Sequence, residues 1–132
     1  MKKWPLPQET SRLLNATQLT IRKHSVSKLL NDSTFYTAGP ILTKFGMGGI
    51  TFSKGYIILS KRLCESDFPV LQAKIIFHEL VHVAQQRDWG WMRFMAQYFW
   101  EWLSSGFSYK RMKSKSIERE AYALADNFLM YT

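Results

Sequence analysis

The sequence predicts one α+β domain, in which a small sheet lies over a long buried helix and two more helices follow. Three observations predict this class. Between residues 34 and 63, β-branched and aromatic residues alternate with Gly39-Pro40, Gly46, Gly48-Gly49 and Lys54-Gly55, the punctuation of short strands. Between residues 66 and 129 the apolar residues recur at helical spacing instead. The 132 residues are enough for one domain with a real core and no need of disulfides or a structural metal.

Taken in order, residues 1 to 10 read as an extended, proline-containing arm. Thr10 or Ser11 then caps a short helix through Leu13, Leu14 and Leu19. Ile41 to Phe45, Ile50 to Ser53 and Tyr56 to Ser60 read as short antiparallel strands, the last two joined by a tight turn at Lys54-Gly55. Ser66-Asp67-Phe68-Pro69 is a helix start, with Ser66 or Asp67 as cap and Pro69 in the first turn, where its missing donor costs little. That helix runs to Gln86 or Arg87 and ends at Asp88-Trp89-Gly90. With Val70, Leu71, Ile75, Ile76, Phe77, Leu80, Val81, Val83 and Ala84 it is apolar nearly all round, as a central buried helix is.

Trp91 to Leu103 forms a second helix, with Trp91, Phe94, Met95, Tyr98, Phe99 and Trp102 at helical spacing and Arg93, Gln97 and Glu101 on an opposing stripe. It is too short and too charged to span a membrane. It packs over the central helix, or it docks on a membrane or a partner. The basic run Lys110-Arg111-Met112-Lys113-Ser114-Lys115 reads as a solvated loop, and a last helix begins near Ser114 or Ser116 and continues to Leu129.

The central helix carries His78-Glu79-Leu80-Val81-His82, an H-E-x-x-H motif. Residues four apart on a helix are offset by about 40°, so His78 and His82 present two imidazoles to one ion. Glu79 lies about 100° round from His78, a poor position for a ligand but a good one for a base acting on a water that zinc acidifies. With 3 histidines and 6 glutamates in the chain, composition alone gives about 0.003 such motifs. The plainer reading is a pair of core histidines satisfied by the backbone or by Glu79.

A catalytic zinc site has three protein ligands and an open position, so one more donor is needed. The extended motif H-E-x-x-H-x-x-G-x-x-H would place it at Asp88, but Gln85 stands where the helix-bending glycine belongs. The other source is a glutamate on the alanine-rich last helix. Glu118 shares a face with Ala121, Tyr122 and Ala125, and Glu120 one with Ala123, Leu124 and Asn127; about 200° apart, they cannot both face the ion. The two alanines beside Glu118 allow the closer approach and favour it.

The formal charge of +8 and pI near 9.7 suit an anionic lipid surface, an acidic partner or nucleic acid, with no specific nucleic-acid motif to select the last. Cys64, the single cysteine, reads as an ordinary thiol of a reducing compartment. The N-terminus has the charge of a secretory signal but no apolar run after it, so a cytoplasmic location is expected.

The runs Gly49-Ile50-Thr51-Phe52-Ser53-Lys54-Gly55-Tyr56-Ile57-Ile58-Leu59, His78-Glu79-Leu80-Val81-His82-Val83-Ala84-Gln85-Gln86 and Glu118-Arg119-Glu120-Ala121 resemble the minimal gluzincin peptidases, or minigluzincins. They also resemble the related peptidase-like core domain of extracellular contractile injection systems, over roughly residues 40 to 128. The resemblance implies a zincin-like α/β core and a zinc metallopeptidase with His78, His82 and Glu118 as ligands and Glu79 as catalytic base. It further implies an edge strand, here Gly48 to Ser53, that binds an extended peptide through its main chain. Many gluzincins carry E-x-E-A-D, whose Asp supports a zinc histidine; Tyr122 stands at that position here. Some are held latent by a flanking segment, for which Met1 to Gln8 is the candidate. The oxyanion donor is open among His24, Tyr56, Tyr109 and Tyr122. The expected partner is a peptide or protein substrate; the alternative is a non-catalytic zinc-binding interaction module that docks through its basic and aromatic surfaces.

Overall fold

The computed structural model describes residues 2–37, 48–52 and 55–130, without the side chains of residues 109, 129 and 130. The expected strand from Ile41 to Phe45 lies outside the described residues, as do Ser53 and Lys54 of the expected turn. The strands are β1 (Lys2–Lys3), β2 (Thr20–Ile21), β3 (His24–Ser25), β4 (Thr34–Thr37), β5 (Gly49–Thr51) and β6 (Tyr56–Leu59). The helices are α1 (Gln8–Ala16), α2 (Val26–Asn31), α3 (Lys61–Cys64), α4 (Pro69–Trp89), α5 (Trp91–Ser104), α6 (Tyr109–Met112) and α7 (Ser116–Met130). The α+β class is as expected.

The sheet has the order β1-β4-β6-β5 and is mixed: β4 and β6 run parallel, and the outer pairs are antiparallel. Sequence patterning found β5 and β6 but missed β4, whose Thr34-Phe35-Tyr36-Thr37 has too short an alternation to stand out. Gly55 leads into β6 with φ +74°, and a Cβ there would lie 2.7 Å from the carbonyl oxygen of Asp32, so only glycine fits against the start of β4.

The N-terminal arm is not a free extended segment. Lys2 and Lys3 pair with Thr37 and Tyr36, the Trp4 N–H donates to the Phe35 carbonyl, and α1 already begins at Gln8. Neither Thr10 nor Ser11 caps that helix. Thr10 is buried and donates to the Gln72 side chain at 2.7 Å, whose amide in turn donates to the carbonyls of Leu63 and Ser66. Leu19 lies beyond the end of α1 and packs at the margin of the core.

Helix α4 is the axis of the fold. Ala73, Ile76, Phe77, Leu80, Val81, Val83 and Ala84 bury against the sheet, α1, α2 and α7, and Phe77 stacks on Phe128 of α7 at 4.8 Å. Its first turn departs from expectation: Val70 and Leu71 are exposed, because the helix enters the core only from Gln72 onward. Phe68 rather than Ser66 or Asp67 occupies the cap position, while Ser66 Oγ accepts from the Phe68 N–H. The helix continues through Asp88 and Trp89 to Gly90, whose φ of +83° turns the chain into α5. Cys64 ends α3 half-buried, and burial raises its thiol pKa, as an unreactive thiol requires.

Candidate metal centre

The site is built where three elements meet: the middle of α4, the first turn of α7 and the edge strand β5. His78 and His82 lie one turn apart on α4 with ring centroids 5.0 Å apart. His78, Glu79 and His82 offer ligand atoms within 4.8 Å of one another and could hold a metal ion. Glu118 closes on the same imidazoles from α7, with Oε1 3.2 Å from His78 Nε2 and 2.5 Å from His82 Nε2. All four residues are 7% exposed or less, so their charges have to be satisfied locally.

Helix α7 approaches closely enough because Ala121 and Ala125, both buried, form the face beside Glu118. The start of α7 is held by α5. The buried Glu101 carboxylate accepts from the Ile117 N–H at 3.1 Å, the Ser116 hydroxyl at 3.0 Å and the Gln97 amide at 3.0 Å. Glu101 thus caps another helix, one residue before Glu118. The stripe of Arg93, Gln97 and Glu101 was expected to oppose the packed face; instead Glu101 and Gln97 turn inward to α7.

Burial works against a charged His82, but the hydrogen bond and charge of Glu118, with Glu79 and the Gln85 amide, outweigh it and raise the pKa from 6.5 to about 9. Burial likewise disfavours the Glu118 carboxylate, but hydrogen bonds from His78 and His82 hold its carboxyl far below the usual range. The donor set fits a divalent ion: ligand atoms around a tetrahedral zinc are about 3.3 Å apart, near the His78–Glu118 separation, and the shorter His82–Glu118 contact needs only a small opening.

Glu79 is oriented by the sheet. Thr51 of β5 donates from Oγ1 to Glu79 Oε1 at 2.8 Å, and Gly49 brings the strand so near that a Cβ there would meet Glu79 Cγ at 3.3 Å. Gly49, Ile50, Thr51, Phe52, Glu79, His82, Phe94, Met95, Tyr98 and Glu118 line a narrow cleft. Among the described residues no strand pairs with the outer edge of β5.

Behind His82 lies a polar chain. Gln85, fully buried, accepts from His82 Nδ1 at 2.9 Å and donates to the Ile117 carbonyl and, at 2.7 Å, to Glu120. Glu120 is gripped by Arg22, which also pairs with Asp88, and Asp88 reaches His24 at 2.8 Å. Asp88 is therefore engaged away from His78 and His82, by Arg22 and His24, and does not extend the motif as an eleventh-position ligand. Glu120, the less favoured of the two glutamates weighed as third ligand, stands behind Gln85, two contacts from His82.

Of the four tyrosines and histidines named as oxyanion donors, His24 is tied to Asp88, and Tyr56 is exposed beside Tyr36. The Tyr109 side chain lies outside the described residues. Tyr122 packs edge-on against His78 at 4.4 Å. Sequence reasoning missed Tyr98, which stands edge-on to His82 in the cleft wall; burial first, and then the charges of Glu118 and Glu79, raise its pKa so that it keeps its proton. Its one sequence signal is that it follows Phe94 by one helical turn. The arm proposed as a latency segment runs along β4, at the sheet edge opposite β5, and does not cover the cleft over Lys2 to Gln8.

Comparison of the chain with family models, curated proteins and solved structures gives no match. What the chain does has to be read from this buried donor set and the cleft beside it.

Proposed function

We propose that the chain is a zinc-dependent metallopeptidase of the small gluzincin kind, with His78, His82 and Glu118 as ligands and Glu79 as the catalytic base. The observation that carries the proposal is the division of labour among two carboxylates. Glu118 lies against both imidazoles, while Glu79 is turned by Thr51 towards the cleft under β5. Two imidazoles and a carboxylate also suit non-haem iron. The adjacent base favours zinc and hydrolysis.

Zinc, when bound, acidifies a water and polarises the substrate carbonyl. Glu79 takes the proton from the attacking water as its oxygen adds to the carbonyl carbon, and then delivers that proton to the leaving amine nitrogen as the C–N bond breaks. The Tyr98 hydroxyl, kept protonated by its surroundings, donates a hydrogen bond to the oxygen on which negative charge develops. The outer edge of β5 offers main-chain groups to an extended peptide, and Ile50, Phe52, Phe94 and Met95 supply apolar walls for its side chains.

Metal analysis of the protein and of Glu79→Gln tests these roles. Zinc near one per chain in both proteins is expected, with hydrolysis lost only in the variant. Glu79→Gln free of zinc would overturn the assignment of Glu79, and zinc-loaded wild-type protein that cleaves no peptide would favour the non-catalytic binding module.

A further inference from the structure

We propose that the outer face of α5 is a docking surface for an anionic lipid bilayer, on which the protein lies with α5 parallel to the membrane plane. The face is apolar and turned to solvent. Met92, Ala96, Phe99 and Leu103 recur at helical spacing along it, with Trp100 on its flank, and the exposed Phe107 follows past the end of the helix, edge-on to Trp102. Met92 is 77% exposed, Phe99 62%, Trp100 66% and Phe107 59%.

Such a helix ordinarily buries its apolar stripe and wets its polar one. Here much of the polar stripe is inside: Glu101 is buried and Gln97 half-buried, both bonded to the start of α7. A contiguous exposed patch of this kind on a folded domain marks a contact surface. Its charge selects the partner. Between residues 91 and 117 the one acidic residue is the buried Glu101, whereas Arg93, Lys110, Arg111, Lys113 and Lys115 are basic. Arg93, Lys110 and Arg111 are exposed.

Aromatic and long apolar side chains on one face with cations at the border are the pattern of a helix lying in a membrane interface. At 14 residues α5 is about 21 Å long, too short to cross the hydrocarbon layer, and no described helix is long and apolar enough to do so. A second copy of the chain is a poorer occupant, because both copies would bring the same basic border together in a chain of formal charge +8. A convex helical ridge also needs a matching groove in a protein partner, whereas lipid closes around it. The opposite side of α5 carries Phe94, Met95 and Tyr98 into the metal cleft, so docking would hold that cleft close to the bilayer.

Co-sedimentation of the whole protein with vesicles of phosphatidylcholine, with and without phosphatidylglycerol, tests the proposal without reference to catalysis. Binding is expected to the anionic vesicles at low salt, with a blue shift of tryptophan emission, and weakening at high salt. Phe99→Ser/Trp100→Ser should reduce binding by about ten-fold or more, with an unchanged melting temperature, since both residues face solvent. Lys110→Gln/Arg111→Gln should weaken binding to anionic vesicles alone. Absence of wild-type binding to anionic vesicles would overturn the proposal, as would binding untouched by Phe99→Ser/Trp100→Ser. Self-association without lipid that the same variant abolishes would assign the face to a second copy instead.

Discussion

Gln85 shows how much a single side chain contributes to this centre. A helix residue three positions after His82 returns its amide oxygen to the Nδ1 of that imidazole, which leaves Nε2 directed at Glu118 and the ion position. The amide cannot turn over, because its nitrogen is held by Ile117 and Glu120. Tyr122 packs against His78, and the buried support visible in the structure reaches His82 through Gln85. Gln85→Leu is expected to weaken zinc binding by about 10- to 100-fold. Glu118→Ala should weaken it more than Gln85→Leu, and Glu120→Ala less, in competition with a chromogenic chelator. Equal affinities for wild type and Gln85→Leu would show that the amide has no part in orienting the ligand.

The same residues set a pH dependence. The pKa of His82 is raised above its ordinary 6.5 to about 9, so the stability it contributes to chelator-stripped protein is full below about 6.5 and is lost as pH rises through about 9. Glu118, with a lowered pKa, contributes stability above its ordinary 4.5 that is lost on acidification. Melting temperatures of stripped protein should therefore fall as pH is raised from about 6.5 to 9. Glu118→Gln should remove most of that slope. Zinc competes with the proton at His82, so apparent zinc affinity should rise over the same interval.

Among the elements, α5 positions α7 through its buried side, where Phe94 and Glu101 stand about two turns apart. Its inward Glu101 satisfies donors at the start of α7 and so places Glu118; removing it leaves buried donors without an acceptor. Glu101→Ala is expected to destabilise the protein by about 2–4 kcal/mol and to weaken zinc binding as well, read from thermal melts and chelator competition. Phe94, fully inside, should cost about 3–5 kcal/mol when cut to alanine, and the half-buried Trp102 distinctly less. Sequence periodicity placed α4, α5 and α7 within a few residues, because their apolar residues recur over many turns. It could not find β4 or the support behind His82. Four strand residues give too short a pattern, and a glutamine three residues from a histidine has no meaning until the helix around it is buried.

At the scale of the molecule, one long helix supplies the motif and everything else is arranged around it. The sheet brings Thr51 to Glu79, α7 brings Glu118 to the histidines, and the β2–β3 hairpin locks the far end of α4. At its turn Arg22 and Lys23 both have positive φ, 49° and 71°, an unusual pair for non-glycine residues, and Arg22 is held there by Asp88 and Glu120. The H-E-x-x-H motif made the buried donor set of α4 legible from the sequence. The alanine strip of α7 pointed to the carboxylate that reaches it. The Thr51 contact, the Tyr98 wall and the inward turn of Glu101 depend on strand register and helix rotation, which single-sequence patterns leave open. The most direct test of the central claim is cleavage of a peptide library by purified wild-type protein, with and without a zinc chelator. Cleavage that the chelator abolishes, zinc restores and Glu79→Gln lacks is the predicted result; cleavage that survives metal removal, or none from fully zinc-loaded protein, would contradict it.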